Sequence, residues 1–165
     1  MDEKIARLFV TPLRRTHQTA APLSQAIGLE PAIVPELAEV HLGEWEGGEF
    51  RVRVAQGDPL VPDIFEKERW DVIPGAESLE SLGRRVRAGV ERIVEATGPD
   101  RVAVAIAHGG VIGEICRQAT DSRPFAFVHM DNGSVSRLVV HANGRWMLRS
   151  FNETAHLGVR PGPSG

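Results

Sequence analysis

A three-layer α/β/α sandwich around a mainly parallel sheet is the architecture to which the apolar pattern of these 165 residues points. Two short apolar runs, IARLFV at Ile5–Val10 and VAVAIA at Val102–Ala107, have the length of strands, and the second carries no charge. Runs apolar on both faces suit parallel strands covered by helices on each side. Between them lies a long amphipathic segment, and strands alternating with helices belong to the α/β class.

Taken in chain order, the first run stops at Thr11 and Pro12. A weaker helix is expected over Ala20–Ile27, with Pro22 tolerable only in its first turn, where a missing N–H costs nothing. The acidic, proline-bearing stretch Gln56–Pro74 reads as an insertion over one end of the sheet. The clearest helix spans Glu77–Thr97, where Leu79, Leu82, Val86, Val90, Ile93 and Val94 recur at steps of three and four before Gly98 and Pro99 end it. Gly83 and Gly89 inside it each cost about 1 kcal/mol relative to alanine, so they mark close packing against a neighbour. A further helix over Val111–Ala119 is opened by Gly109 and Gly110. Near the end, SVSRLVV and RWMLRSF flank Ala142, Asn143 and Gly144, a hairpin signal. One domain over residues 1–157 and a flexible tail over 158–165 (GVRPGPSG) are expected.

The formal charge of −3 gives no reason to expect a nucleic-acid or anionic-membrane partner, so any positive site is local. The one cysteine, Cys116, has no partner for a disulfide and reads as a buried helix residue in a reducing compartment. The first ten residues lack the pattern of a signal peptide, and no apolar run approaches the ~20 residues of a membrane span. A cytoplasmic location is the expectation. No metal or cofactor is expected, because no two histidines show zinc-site spacing and the cysteine is alone.

If the two runs are parallel, TPLRR and AHGG deliver Arg14, Arg15 and His108 to one sheet edge, where α/β proteins bind ligands. Gly109 and Gly110 let the backbone approach a ligand and open a helix whose free amides favour an anion. An arginine fork matches phosphate oxygens. Alone, HGG after a strand also describes a surface turn, and paired arginines surface charge. The third piece is LAEVHLGEWEGGEF, whose Glu39, placed beside bound phosphate, would have its pKa raised and could serve as a general acid. Glu44, Glu46 and Glu49 read as a solvated rim.

These residues carry a resemblance. TPLRRTHQTA resembles the SPLxRAxQTA segment of the histidine phosphatase (phosphoglycerate mutase-like) superfamily, and LAEVHLGEWEG is similar to its LxExxxGxWEG loop. PGAESLESLGRRV resembles its PGGESxxxxxxRV, and VAVAIAHGGVI its second histidine motif, in the family's order from Ile5 to Leu157. The resemblance implies that Arg15 is the phosphate-pocket arginine, Glu39 the proton donor and His108 the second, phosphate-contacting histidine, with Gly109 at the substrate. It implies phosphohydrolase activity on a small phosphorylated substrate through a phosphohistidine, with phosphatase preferred to mutase because Glu49–Pro74 is short.

The family's nucleophile is a histidine of an N-terminal RHG motif, and no RHG occurs in this sequence. The family's first strand and helix are therefore expected to be missing here. Three explanations are ranked: a start codon assigned too late, a deliberate fragment, and a truncated homologue that swaps elements in a homo-oligomer. His17 and Arg15, if helical, diverge by about 200° around the axis, and His41 is a weak substitute nucleophile. A non-catalytic phosphate-binding or scaffold protein is the alternative from another class, and an unrelated α/β protein the third.

Overall fold

The computed structural model describes residues 4–158. Strand β1 (Ile5–Val10) lies between the two-residue β2 (Ala32–Ile33) and β3 (Val102–Ile106), and all three are parallel. Val10 pairs with both Ile33 and Ile106, so β1 and β3 end side by side. Successive side chains leave opposite faces of a strand. Leu8 and Val10 accordingly join Ala20, Leu23, Val104 and Ile106 on one face, while Phe9 and Ala103 join Val86 and Val111 on the other. Helix α1 (Arg14–Ile27) covers the first face, and α4 (Leu79–Thr97) with α5 (Gly109–Thr120) closes the second. The result is the three-layer α/β/α arrangement around a parallel sheet.

Local chemistry sets the helix ends. The Ser78 hydroxyl caps α4 by accepting from the Ser81 amide at 3.2 Å. Helix α1 stops at Gly28, whose φ of 67° is the left-handed C-terminal conformation. The helix expected from Ala20 instead begins at Arg14, so Pro22 sits in its interior rather than its first turn. The Thr16 hydroxyl sustains that early start, receiving the Thr11 amide and donating to the Leu13 carbonyl at 2.8 Å. Thr16 and Ala20, the buried stripe of α1, anchor it across the bond that Pro22 cannot make.

The stretch expected as an insertion over the sheet is folded into the core. Helices α2 (Glu49–Gln56) and α3 (Leu60–Lys67) occupy residues 49–67, and Ile64 and Ile73 are fully buried. Trp45, Trp70 and Trp146 are buried too, so all three pack rather than present a platform. Trp70 packs against Phe125 with tilted rings 4.6 Å apart between centroids and meets Phe50 edge-on at 5.9 Å.

Strands β4 (Val135–Val140) and β5 (Trp146–Glu153) form the hairpin, antiparallel, with Val140 paired to Trp146. They make a separate two-stranded sheet that packs on α5. Among the described residues no strand pairs with the edge of β3 that faces away from β1. The tail expected over 158–165 lies, from residue 159 on, outside the described residues.

Candidate active site

Because β1 and β3 are parallel and in step, their carboxyl ends deliver Thr11 and His108 to the same point. His108 is the extended residue before α5 and is only 6% exposed. The Nε of Arg15, in the first turn of α1, donates to His108 Nδ1 at 3.2 Å, and Nε2 lies 2.8 Å from the buried hydroxyl of Thr11. An arginine has no acceptor to offer, so Nδ1 carries the lone pair and Nε2–H donates to Thr11. That ring is neutral. Burial first, then the charges of Arg15 and Arg85, lower its pKa to about 4.

Glu39 reaches the same point from the loop between β2 and α2. Its Oε1 accepts from the Val40 amide at 2.9 Å, and the Gly110 amide also faces the carboxyl. A Cβ at Gly110 would lie 2.5 Å from Val40 Cγ2 and 2.9 Å from Glu39 Oε1, so only glycine allows this approach. At Gly109 a Cβ would meet only Met130, at an ordinary 3.9 Å. Of the two glycines it is therefore Gly110 whose missing side chain shapes the site, while Gly109 places its amide in the first turn of α5. Burial raises the Glu39 pKa, against the lowering pull of the Val40 amide, Arg15, Arg85 and the Gly110 amide.

Other candidates lie elsewhere. Arg14 is exposed on α1 and His17 is on the same helix. His41 is exposed and its Nδ1 accepts from the Gly43 amide at 3.3 Å, a turn-stabilising role. Glu46 receives the Leu42 amide at 2.6 Å, and Glu49 pairs with Arg53 at 2.7 Å. Burial pushes the Cys116 thiol up to about 11, so it is unreactive. No group of three or more His, Cys, Asp or Glu able to hold a metal occurs among the described residues.

Two features escaped the sequence reading. Thr11, expected only to end a strand, is the partner of His108. Arg85, hidden in a run of arginines on α4, reaches the backbone carrying Glu39, and Glu77 holds it. For Arg85 and Glu77 the only sequence signal is their place in the PGAESLESLGRRV segment, and for Thr11 its place at the head of TPLRRTHQTA.

A cation, a helix N-terminus, a neutral imidazole and a carboxyl whose pKa is raised thus converge from three segments. Such a set suits a tetrahedral oxyanion with a proton donor beside it.

The family model for the histidine phosphatase superfamily (branch 1) matches residues 1–154. The bifunctional protein Rv2228c of Mycobacterium tuberculosis is 30% identical over 93% of this chain, which spans 42% of that protein. A Yersinia enterocolitica protein named "Probable phosphoglycerate mutase GpmB" is 27% identical over 94% of the chain and 74% of its own length. Among solved structures, mycobacterial glucosyl-3-phosphoglycerate phosphatase Rv2419c superposes with a TM-score of 0.75 at 26% identity, covering 93% of this chain and 79% of that one.

Proposed function

The chain belongs to the histidine phosphatase superfamily, branch 1, and from that premise we propose that it is a phosphomonoesterase working through a phosphohistidine. An imidazole attacks phosphorus as the ester P–O bond breaks. Glu39, in its acid form, gives its proton to the departing oxygen, and its carboxylate then takes a proton from the water that hydrolyses the phosphohistidine. Arg15, His108 and the first amides of α5 hold the phosphoryl oxygens while charge shifts among them. The sequence contains no RHG triplet, so in this reading the attacking imidazole comes from outside the 165 residues.

The observation that carries the reading is the contact between Arg15 Nε and His108 Nδ1 at 3.2 Å. Phosphatase is preferred to mutase because residues 49–74 are spent on two short helices and a core tryptophan rather than on an enclosing lid. The solved relative named above is a phosphatase. The substrate class is a small phosphate monoester. The test is hydrolysis of p-nitrophenyl phosphate in EDTA by the full-length gene product. Turnover that His108→Ala abolishes is expected, and turnover no higher than that variant's overturns the reading.

The missing RHG favours one second reading, an anion-binding homologue without catalysis. Inorganic phosphate then raises the Tm of this chain, Arg15→Ala removes the effect, and turnover by these 165 residues alone would rule it out.

A further inference from the structure

The PGAESLESLGRRV segment has no part in the reaction just described, yet its two charged ends meet beneath Glu39. Arg85 projects from α4 toward the loop that follows β2. Its Nη1 donates to the carbonyls of Glu36 at 2.8 Å and Ala38 at 2.6 Å, and its Nη2 to that of Glu39 at 3.1 Å. Nε and Nη2 also donate to the two carboxylate oxygens of Glu77, each at 2.7 Å. These bonds use all five N–H groups of a guanidinium. Lysine, with three donors on one nitrogen, cannot reproduce the pattern.

Glu77 does more than neutralise the arginine. Its amide donates to the His41 carbonyl at 2.8 Å, and its Oε2 accepts the His41 amide at 3.3 Å. Burial raises its pKa, but the bonds and charge of Arg85 with the His41 amide outweigh that and hold the carboxyl lowered and ionised. The same loop is seated on α4 at two further points. Gly89 leaves room for Leu37, which a Cβ would approach to 2.8 Å, and Arg92 pairs with Glu36 at 2.5 Å. The backbone on both sides of Glu39 is thereby fixed, although Ala38–Val40 belongs to no regular element.

We propose that Arg85, gripped by Glu77, is the positioning residue for Glu39: it pins the three carbonyls that bracket the acid and so aims its carboxyl at the start of α5. This rests on Glu39 being the proton donor. With all five N–H groups given to Glu77 and the loop carbonyls, Arg85 has no donor left for a substrate. It acts through the backbone and through its charge, which reaches both Glu39 and His108. Losing it would leave three loop carbonyls without their donor and remove one of the two cations, with Arg15, whose charge reaches Glu39 and His108.

The experiment titrates Glu39 in the full chain by ¹³C NMR of labelled glutamate carboxyls, with the Glu39 signal identified by its loss in Glu39→Gln. In Arg85→Gln the Glu39 midpoint moves upward and the Val40 and Gly110 amide signals shift. In Arg85→Lys, which keeps the charge without the fork, the midpoint returns toward the wild-type value while the amide shifts persist. The Lys variant carries the test if Gln does not fold. A Glu39 midpoint and amide shifts unchanged in either folded variant overturn the proposal, since a mere tether of loop to helix would not couple to the carboxyl. Alkyl phosphate turnover by full-length Glu39→Gln separates the two claims. Wild-type rates there remove the proton-donor role and the proposal with it, whereas a loss there combined with an unmoved Arg85→Gln titration removes the positioning role alone.

Discussion

Thr11 is the residue on which the state of His108 turns. Its hydroxyl takes the Nε2–H of the ring and also receives the Leu13 amide at 3.3 Å, all in a pocket where Thr11 is 1% exposed. Thr11→Val keeps the shape and removes the acceptor, leaving a buried N–H without a partner at a cost of about 1–3 kcal/mol. Thr11→Ser keeps the hydroxyl and is expected to retain most of that stability. Urea unfolding of the two variants at neutral pH is the measurement, and equal midpoints would refute the role given to the hydroxyl. Gly110→Ala is the second residue-scale prediction. Its new methyl displaces Val40 and Glu39, so the start of α5 loses the carboxyl, and turnover of alkyl phosphates by the full-length gene product falls more than that of p-nitrophenyl phosphate, whose leaving group needs less protonation. An equal loss on both esters would show that Glu39 had not been displaced from its role. The legibility of the site follows the same scale. Arg15 and His108 stand out because each ends an apolar run, and Glu39 because it follows one closely. Thr11 and Arg85 do not, since a threonine at a strand end and an arginine among arginines look ordinary until the fold brings their partners to them.

At the scale of elements, what could be read depended on length and punctuation. Helix α4 shows its period over 19 residues, with a serine at one end and a glycine at the other. The glycines inside it mark contacts: a Cβ at Gly83 would come to 3.0 Å from Glu114 Oε1, and one at Gly89 to 2.8 Å from Leu37. Helices α2 and α3 are 8 residues each, too short for a period to declare itself between glycines and prolines. Helix α1 was obscured by Pro22, which argues locally for a helix start. The structure places this proline on the exposed side of a continuous helix, held by the buried residues Thr16 and Ala20. Pro22→Ala restores a backbone donor to the Gln18 carbonyl and relieves the ring clash there. The variant is expected to gain about 1–2 kcal/mol, less than the full interior penalty because the unfolded chain regains freedom. A thermal melt checks it, and an unchanged or lowered Tm would refute the cost assigned to Pro22.

For the molecule as a whole, the sequence disclosed both the parallel strands and the hairpin, but not that the hairpin forms its own sheet, because pairing between distant strands is settled by packing rather than by local pattern. The site joins those parts, and its titrations therefore act on global stability. His108 has a pKa of about 4 in the fold against 6.5 when unfolded. Between those values the unfolded chain binds the proton that the folded chain refuses, so stability falls as pH drops from about 6.5 and stops responding to this group below about 4. Glu39 acts with the opposite sign. Its raised pKa means that the folded chain holds a proton above 4.5 that the unfolded chain releases, so this group's contribution is present at low pH and is lost as pH rises through the raised value. Two opposed slopes thus overlap in one window, and single variants separate them. His108→Gln, which has no proton to gain, flattens the fall in urea midpoint from pH 6.5 to 4. Glu39→Gln steepens it by removing the compensating carboxyl. If His108→Gln leaves the slope of the wild type unchanged, the ring is not held neutral by burial and the two arginines, and the electrostatic picture of the site fails with it.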